Sequence, residues 1–315
     1  MDARVAAIAP RGVIRIGRMT PDWIAVDWGT SNLRVWAMGP DGPMAQAQSD
    51  DGMGRLARDG FEPALLALIG PWLGAGVVPV MACGMVGSRQ GWHEAPYRTV
   101  PCTPMDTAFA VTVRTHDPRI SLRIAPGLKQ TNPADVMRGE ETQIAGAMAL
   151  GAADGVICLP GTHSKWVQIS AGEVVSFQTC MTGELFALLS EHSVLRHGMQ
   201  GDGFDLPAFD TALSDAISRP EKIAARLFSL RAEGLIGNLP APVARARLSG
   251  LLIGIELAAT RPYWLGQAVT LVGADAISGL YARALAAQGL TARLLPATDC
   301  TLAGLTQTMT PEVTR

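Results

Sequence analysis

The feature that most constrains this chain is a segment that occurs twice. Asp22 begins the run DWIAVDWGTSNLRV and Asp154 begins DGVICLPGTHSKWV, with Gly161 standing 132 residues after Gly29 and Val167 the same distance after Val35. Each copy reads as an apolar strand, a turn of small hydroxyl-bearing residues and a second strand. A repeat of this length predicts a duplicated domain. In the turns Gly29-Thr30-Ser31-Asn32 and Gly161-Thr162-His163-Ser164-Lys165, backbone N–H groups can approach an anion without side-chain bulk. Two such turns facing each other would clamp the phosphates of a nucleotide.

A chain of 315 residues has room for two domains, each with its own core. The repeat divides it into an N-terminal extension (1–20), a first domain (21–152) and a second (153–315). With 17% charged and 48% hydrophobic residues, the composition is that of a well-buried globular protein without long disordered tails. A net charge of −2 provides no general attraction to nucleic acid or an acidic membrane, so any anion must be held by local groups. Five cysteines with no C-x-x-C pair suggest neither a disulfide framework nor a zinc site and fit a reducing cytoplasm. The apolar stretch from Leu248 to Ala259 is too short for a membrane span and carries Glu256. Arg11 and Arg15 interrupt any secretory apolar region. Met19 is the expected functional start, because the opening strand follows closely. The expected partner is a small molecule, and assembly into a homo-oligomer stays open.

Strands alternate with helices along the chain, which is the α/β pattern. After the first hairpin (about 22–38), Gly42 to Ser49 reads as a third strand, Phe61 to Ile69 as a helix and Val77 to Ala82 as a buried parallel strand. The segment from Met85 to Tyr97 has the Gly, Pro and aromatic content of a ligand loop. A short strand at Leu122–Ala125 and a helix from Gly139 to Leu150 close the first half. The second half continues with strands at Trp166–Ile169 and Val174–Gln178, then a helix from Glu184 to Ser190 behind a Thr182 cap. About 205–260 is helical. A strand at Thr270–Gly273, a helix at Ile277–Ala287, a strand at Thr291–Leu295 and a helix after Asp299 follow.

Asp27 ends a buried strand two residues before the first Gly-Thr turn. A carboxylate there can hold a hydrated Mg²⁺ beside phosphates, or merely cap the turn. Its counterpart in the second copy is Leu159, so one metal position is expected. In the second turn, His163 is either a ligand or a local turn residue, and Lys165 either a phosphate cation or a solvated strand charge. The turn is no P-loop, since G-x-x-x-x-G-K-[ST] is absent from the chain. The run from Asp135 to Gln143 packs Arg138, Glu140 and Glu141 at a loop-to-helix junction, and phosphoryl transfer calls for a carboxylate within reach of the attacking hydroxyl. Helical neighbours point about 100° apart, so at most one glutamate faces a cleft, and Glu140 is preferred. The loop residues Ser88, Gly91 and Trp92 either meet substrate or pack on the surface. Gly273-Ala274-Asp275 either supports an adenine or is a capped strand-to-helix turn.

On these residues the chain resembles the 2-dehydro-3-deoxygalactonokinases, within the hexokinase, actin and heat-shock chaperone superfamily. The matching stretches are IAVDWGTSNLRVW, ACGMVGSRQGWHEAPY, VMRGEETQ, LPGTHSKWVQ, MTGEL, SGLLIGIE and VTLVGAD, spanning about residues 22–300. The resemblance implies two ribonuclease-H-like domains with ATP and Mg²⁺ in the cleft between them. It implies transfer of the γ-phosphate to the 6-hydroxyl of 2-dehydro-3-deoxy-D-galactonate in galactonate or galactose breakdown. Carried onto this chain, it assigns Asp27 to the metal, both Gly-Thr turns to the ATP phosphates, Gly273, Ala274 and Asp275 to the adenosine, and Glu140 or Glu141 to catalysis. Ser88, Gly91, Trp92, Arg138, Thr182 and Glu184 fall on the substrate side. That substrate is a carboxylate, so a cation should meet it; Arg138 is the first candidate and Arg89 the second.

Two other functions fit the same scaffold. A phosphohydrolase would put water where the sugar acid binds, and a non-catalytic nucleotide switch or filament subunit would keep the cleft without the transfer. A repressor is disfavoured, since the chain has no spare length for a helix-turn-helix domain.

Overall fold

The computed structural model describes residues 20–152 and 154–309; the expected extension, save its last residue, and the Met19 start lie outside them. In chain order the first half contains β1 (Trp23–Trp28), β2 (Leu33–Gly39), β3 (Gly42–Ser49), α1 (Phe61–Ile69), β4 (Val78–Gly84), β5 (Tyr97–Thr99), β6 (Val111–Val113), β7 (Ile120–Ile124), β8 (Gly127–Thr131), β9 (Ala134–Met137) and α2 (Glu140–Ala149). The second contains β10 (Gly155–Leu159), β11 (Ser164–Ser170), β12 (Glu173–Cys180), α3 (Thr182–Ala187), α4 (Leu206–Ser218), α5 (Ile223–Ile236), α6 (Ala241–Ala259), α7 (Arg261–Trp264), β13 (Val269–Gly273), α8 (Asp275–Ala286), β14 (Arg293–Pro296) and α9 (Ala297–Gln307).

The duplication is visible in the sheets. The first runs β3-β2-β1-β4-β7-β6 and the second β12-β11-β10-β13-β14. In both, an antiparallel three-strand meander is followed by two strands parallel to its first member, which is the ribonuclease-H-like order, and the first sheet adds β6 antiparallel to β7 at its edge. β1 is buried at every position except Asp27, as a central strand covered on both faces must be. Phe61, Leu65 and Ile69 of α1 cover one face of the first sheet, and Leu305 of α9 packs with Trp23, Ala25 and Trp36 on the other. In the second sheet, Cys158 and Leu271 meet residues of α4, α6 and α8, while Ile157 and Val167 pack with Ile144 and Ala147 of α2.

Thus α2 leans on the second sheet and α9 on the first, so the two helices cross between the halves. Their backbones nearly touch: a Cβ on Gly146 would stand 1.7 Å from the Cys300 carbonyl oxygen, and one on Gly304 2.0 Å from that of Thr142. A second tie comes from the small sheet β5-β8-β9. Asp135 of β9 accepts the N–H and hydroxyl of Thr179 in β12 at 2.7 and 2.6 Å, and Gln130 accepts the Phe177 N–H at 3.0 Å.

The strands and helices expected from the repeat and from periodicity appear where they were placed, within a few residues. The structure corrects three local readings. Asp135 to Met137 belongs to strand β9 and not to a loop. Thr182 is the first residue of α3 and not its cap; Met181 holds the cap position, and the Thr182 hydroxyl donates to Glu256. The last helix begins at Ala297, ahead of Asp299, which falls in its first turn.

Candidate active site

Where the halves meet, a cavity of about 670 Å³ is lined by Asp27, the first Gly-Thr turn, Arg34, Glu140 and Thr162 of the second turn. It lies at the carboxyl end of β1, the position open α/β sheets reserve for ligands. Its wall at Gly84 and Gly139 needs both glycines: their φ values are 94° and 105°, and a Cβ on Gly139 would press to 3.2 Å from the Gly84 Cα. In the first turn the Gly29 N–H donates to the Asn32 carbonyl at 3.0 Å, while the Gly29 and Thr30 carbonyls accept the N–H groups of Met53 and Gly54 at 3.0 and 2.9 Å. Thr30, Ser31 and Asn32 are exposed toward the cleft.

Hairpin geometry arranges the charges. In the β1–β2 register Asp27 stands opposite Arg34, and the two form an ion pair, as opposite charges directly across a ladder do. Arg34 lines the cavity and also reaches the Thr298 hydroxyl at 3.4 Å. In the second hairpin the corresponding partners are Leu159 and Lys165. With no carboxylate across the ladder, Lys165 turns to the other half of the molecule, and its Nζ lies 3.3 Å from Glu140 Oε1. The Lys165 side chain is only 4% exposed, so it is not a solvated strand charge.

The two glutamates separate as helical geometry requires. Glu140 lines the cavity and its Oε2 accepts the Arg138 N–H at 3.0 Å. Glu141 is fully buried, and both its oxygens accept the Gly139 N–H, at 2.9 and 2.7 Å. Burial, reinforced by the neighbouring Glu140 charge, pushes Glu141 up to about 8. The candidate base is therefore Glu140, and Glu141 points away from the cleft.

Several other expected site residues are placed differently. Trp92 is not in the cavity wall: Phe61 stacks on its ring and Trp28 meets it edge-on, each at 6.1 Å, so it packs on the core of the first half. Ser88 is buried with its hydroxyl unpartnered among the described residues, and Gly91 closes a turn on the Ser88 carbonyl at 2.9 Å. Arg138 does line the cavity, but its guanidinium is largely buried, 4.2 Å over the Tyr97 ring, and Nη2 donates to the Ala95 carbonyl at 2.8 Å. Its Nε and Nη1 have no partner among the described residues. Arg89 is exposed and paired with Glu94. The Ser164 hydroxyl points inward to Tyr281 at 3.0 Å instead of toward a phosphate. His163 meets Glu184 at 2.5 Å beside the second turn, and the Glu184 N–H donates to the Thr162 carbonyl at 3.0 Å.

Beyond the second turn an apolar pocket of about 180 Å³ is walled by Gly161, Thr182, Phe186, Leu252, Ile277 and Tyr281. Gly273, Ala274 and Asp275 are not in its wall; the next turns of α8 are. As to metals, the described residues contain no group of three or more His, Cys, Asp or Glu able to form a cage. Asp27 at the cavity edge fits instead the habit of Mg²⁺, which takes one or two carboxylates and completes its shell with phosphates and water.

A family profile described as 2-keto-3-deoxy-galactonokinase matches residues 27–308. A Rhizobium meliloti (strain 1021) protein provisionally named 2-dehydro-3-deoxygalactonokinase DgoK1 is 42% identical over 293 residues, covering 90% of this chain and 95% of the relative. The Escherichia coli (strain K12) 2-dehydro-3-deoxygalactonokinase is 38% identical over 275 residues, covering 86% and 91%. A crystal structure from Sinorhizobium meliloti, provisionally assigned as a 2-dehydro-3-deoxygalactonokinase, superposes with a TM-score of 0.85 at 40% identity over 91% of this chain and 97% of that one. The chain belongs to the 2-keto-3-deoxy-galactonokinase family.

Proposed function

We propose that this chain transfers the γ-phosphate of ATP to the 6-hydroxyl of 2-dehydro-3-deoxy-D-galactonate, in galactonate or galactose breakdown in the cytoplasm. The observation that carries the reading is the convergence of both Gly-Thr turns, Asp27 and Glu140 on one cavity. Glu140 accepts the proton of the 6-hydroxyl as that oxygen bonds to the γ-phosphorus, and the bond from phosphorus to the bridging oxygen breaks to release ADP. The first turn and Lys165 face the phosphates. Asp27 would hold Mg²⁺, which when bound offsets charge on the β and γ phosphates. The apolar pocket beside Gly161 takes the adenine, and Arg138, with two donor nitrogens unpartnered among the described residues, is assigned to the substrate carboxylate. Approach of the two halves excludes water that would otherwise accept the phosphate.

ADP release, followed with no acceptor, with the galactonate-derived keto-deoxy acid and with its gluconate-derived counterpart, tests this. Turnover should require an acceptor and favour the galactonate-derived acid. ATP turnover of equal rate without acceptor would replace the kinase by a phosphohydrolase, a reading the family match does not favour.

A further inference from the structure

Beneath the second Gly-Thr turn lies a buried carboxylate that the chemistry above does not use. Glu256, 3% exposed, stands among the buried apolar residues of α6. Its Oε1 accepts the indole N–H of Trp166 at 2.7 Å, and its Oε2 accepts the hydroxyls of Tyr281, at 2.7 Å, and Thr182. Because Tyr281 donates to Glu256, its oxygen is left to accept from the Ser164 hydroxyl 3.0 Å away, and Ser164 accepts the Gly161 N–H at 3.4 Å. The donors run without a break from the turn to the carboxylate. Packing alone does not call for such a group, since apolar residues of similar shape fill a core as well as a buried charge does. Three of the residues tied together, Gly161, Thr182 and Tyr281, wall the apolar pocket.

We infer that Glu256 is a positioning residue for the nucleotide: it aligns the second Gly-Thr turn, the start of α3 and the Tyr281 wall without itself touching the ligand. The inference rests on the proposed reading of that turn and pocket as the nucleotide side.

The test measures calorimetric binding of a non-hydrolysable ATP analogue, and KM for ATP and for the sugar acid, in wild type, Glu256→Gln and Tyr281→Phe. Glutamine keeps the size but turns an amide N–H₂ toward groups that donate. Kd for the analogue and KM for ATP should rise about tenfold in Glu256→Gln and about threefold in Tyr281→Phe, with KM for the sugar acid unchanged. A folded Glu256→Gln that binds the analogue as tightly as wild type overturns the inference, as does an equal rise in both KM values. If Glu256→Gln does not fold, wild-type affinity in Tyr281→Phe overturns it. A wild type that binds the analogue but phosphorylates no sugar acid defeats the kinase reading and leaves the positioning role standing; one that binds no analogue defeats both.

Discussion

Glu140 and Glu141 are neighbours with the same side chain, yet one lines the cavity and the other is sealed beneath it. Glu141 therefore couples stability to pH. Its folded-state value is raised from 4.5 to about 8, so between those values the folded protein holds a proton that the unfolded chain has released. The resulting stability is fully present below 4.5 and is lost as pH rises through about 8. Glu141→Gln stays neutral throughout. The urea midpoint of wild type should fall more steeply than that of Glu141→Gln between about pH 5 and about pH 8.5, with kcat only mildly changed by the substitution. Parallel curves would show that Glu141 ionises as freely in the folded chain as in the unfolded one. The 100° step of a helix made the separation of the two legible in advance. The inward turn of Ser164 was not, because it depends on Tyr281, a residue 117 positions away.

At the scale of elements, the crossing of α2 and α9 is the tightest contact between the halves. At Gly304 the obstructing atom is the Thr142 carbonyl oxygen, which is backbone and cannot swing aside as a side chain would. Gly304→Ala should destabilise the protein by about 1–3 kcal/mol, read as a lower midpoint in urea unfolding followed by circular dichroism. A midpoint within error of wild type would mean that the two helices slide apart without cost. Most elements could be read from the sequence because strand and helix periods are local, as at β1, α1 and the two Gly-Thr hairpins. The small sheet could not. Its strands are three to five residues long and owe their form to pairing partners elsewhere in the chain. Trp92 was misplaced for the same reason, since its contacts with Trp28 and Phe61 follow from packing and leave no local trace.

Over the whole molecule, a carboxylate present in one copy of the repeat and absent from the other links the halves chemically. Asp27 satisfies Arg34 within the first hairpin, whereas Leu159 leaves Lys165 to pair with Glu140 across the cleft. That Leu159 stands where the first copy has Asp27 was visible in the sequence, but its consequence needed the two sheets brought together. A bound nucleotide would offer Lys165 phosphate oxygens in place of Glu140, so the proposed base becomes free to take a proton when the phosphate to be transferred is present. Glu140→Gln should then lower kcat about 10²–10⁴-fold, and Lys165→Met should raise KM for ATP and lower kcat together. Since both act through one pair, the double variant should be less impaired than the product of the single losses, with a coupling of about 0.5–3 kcal/mol in kcat/KM. Steady-state kinetics on the four proteins closes the cycle. Losses that simply multiply would mean that the pair joins the two halves structurally and does not govern when Glu140 acts.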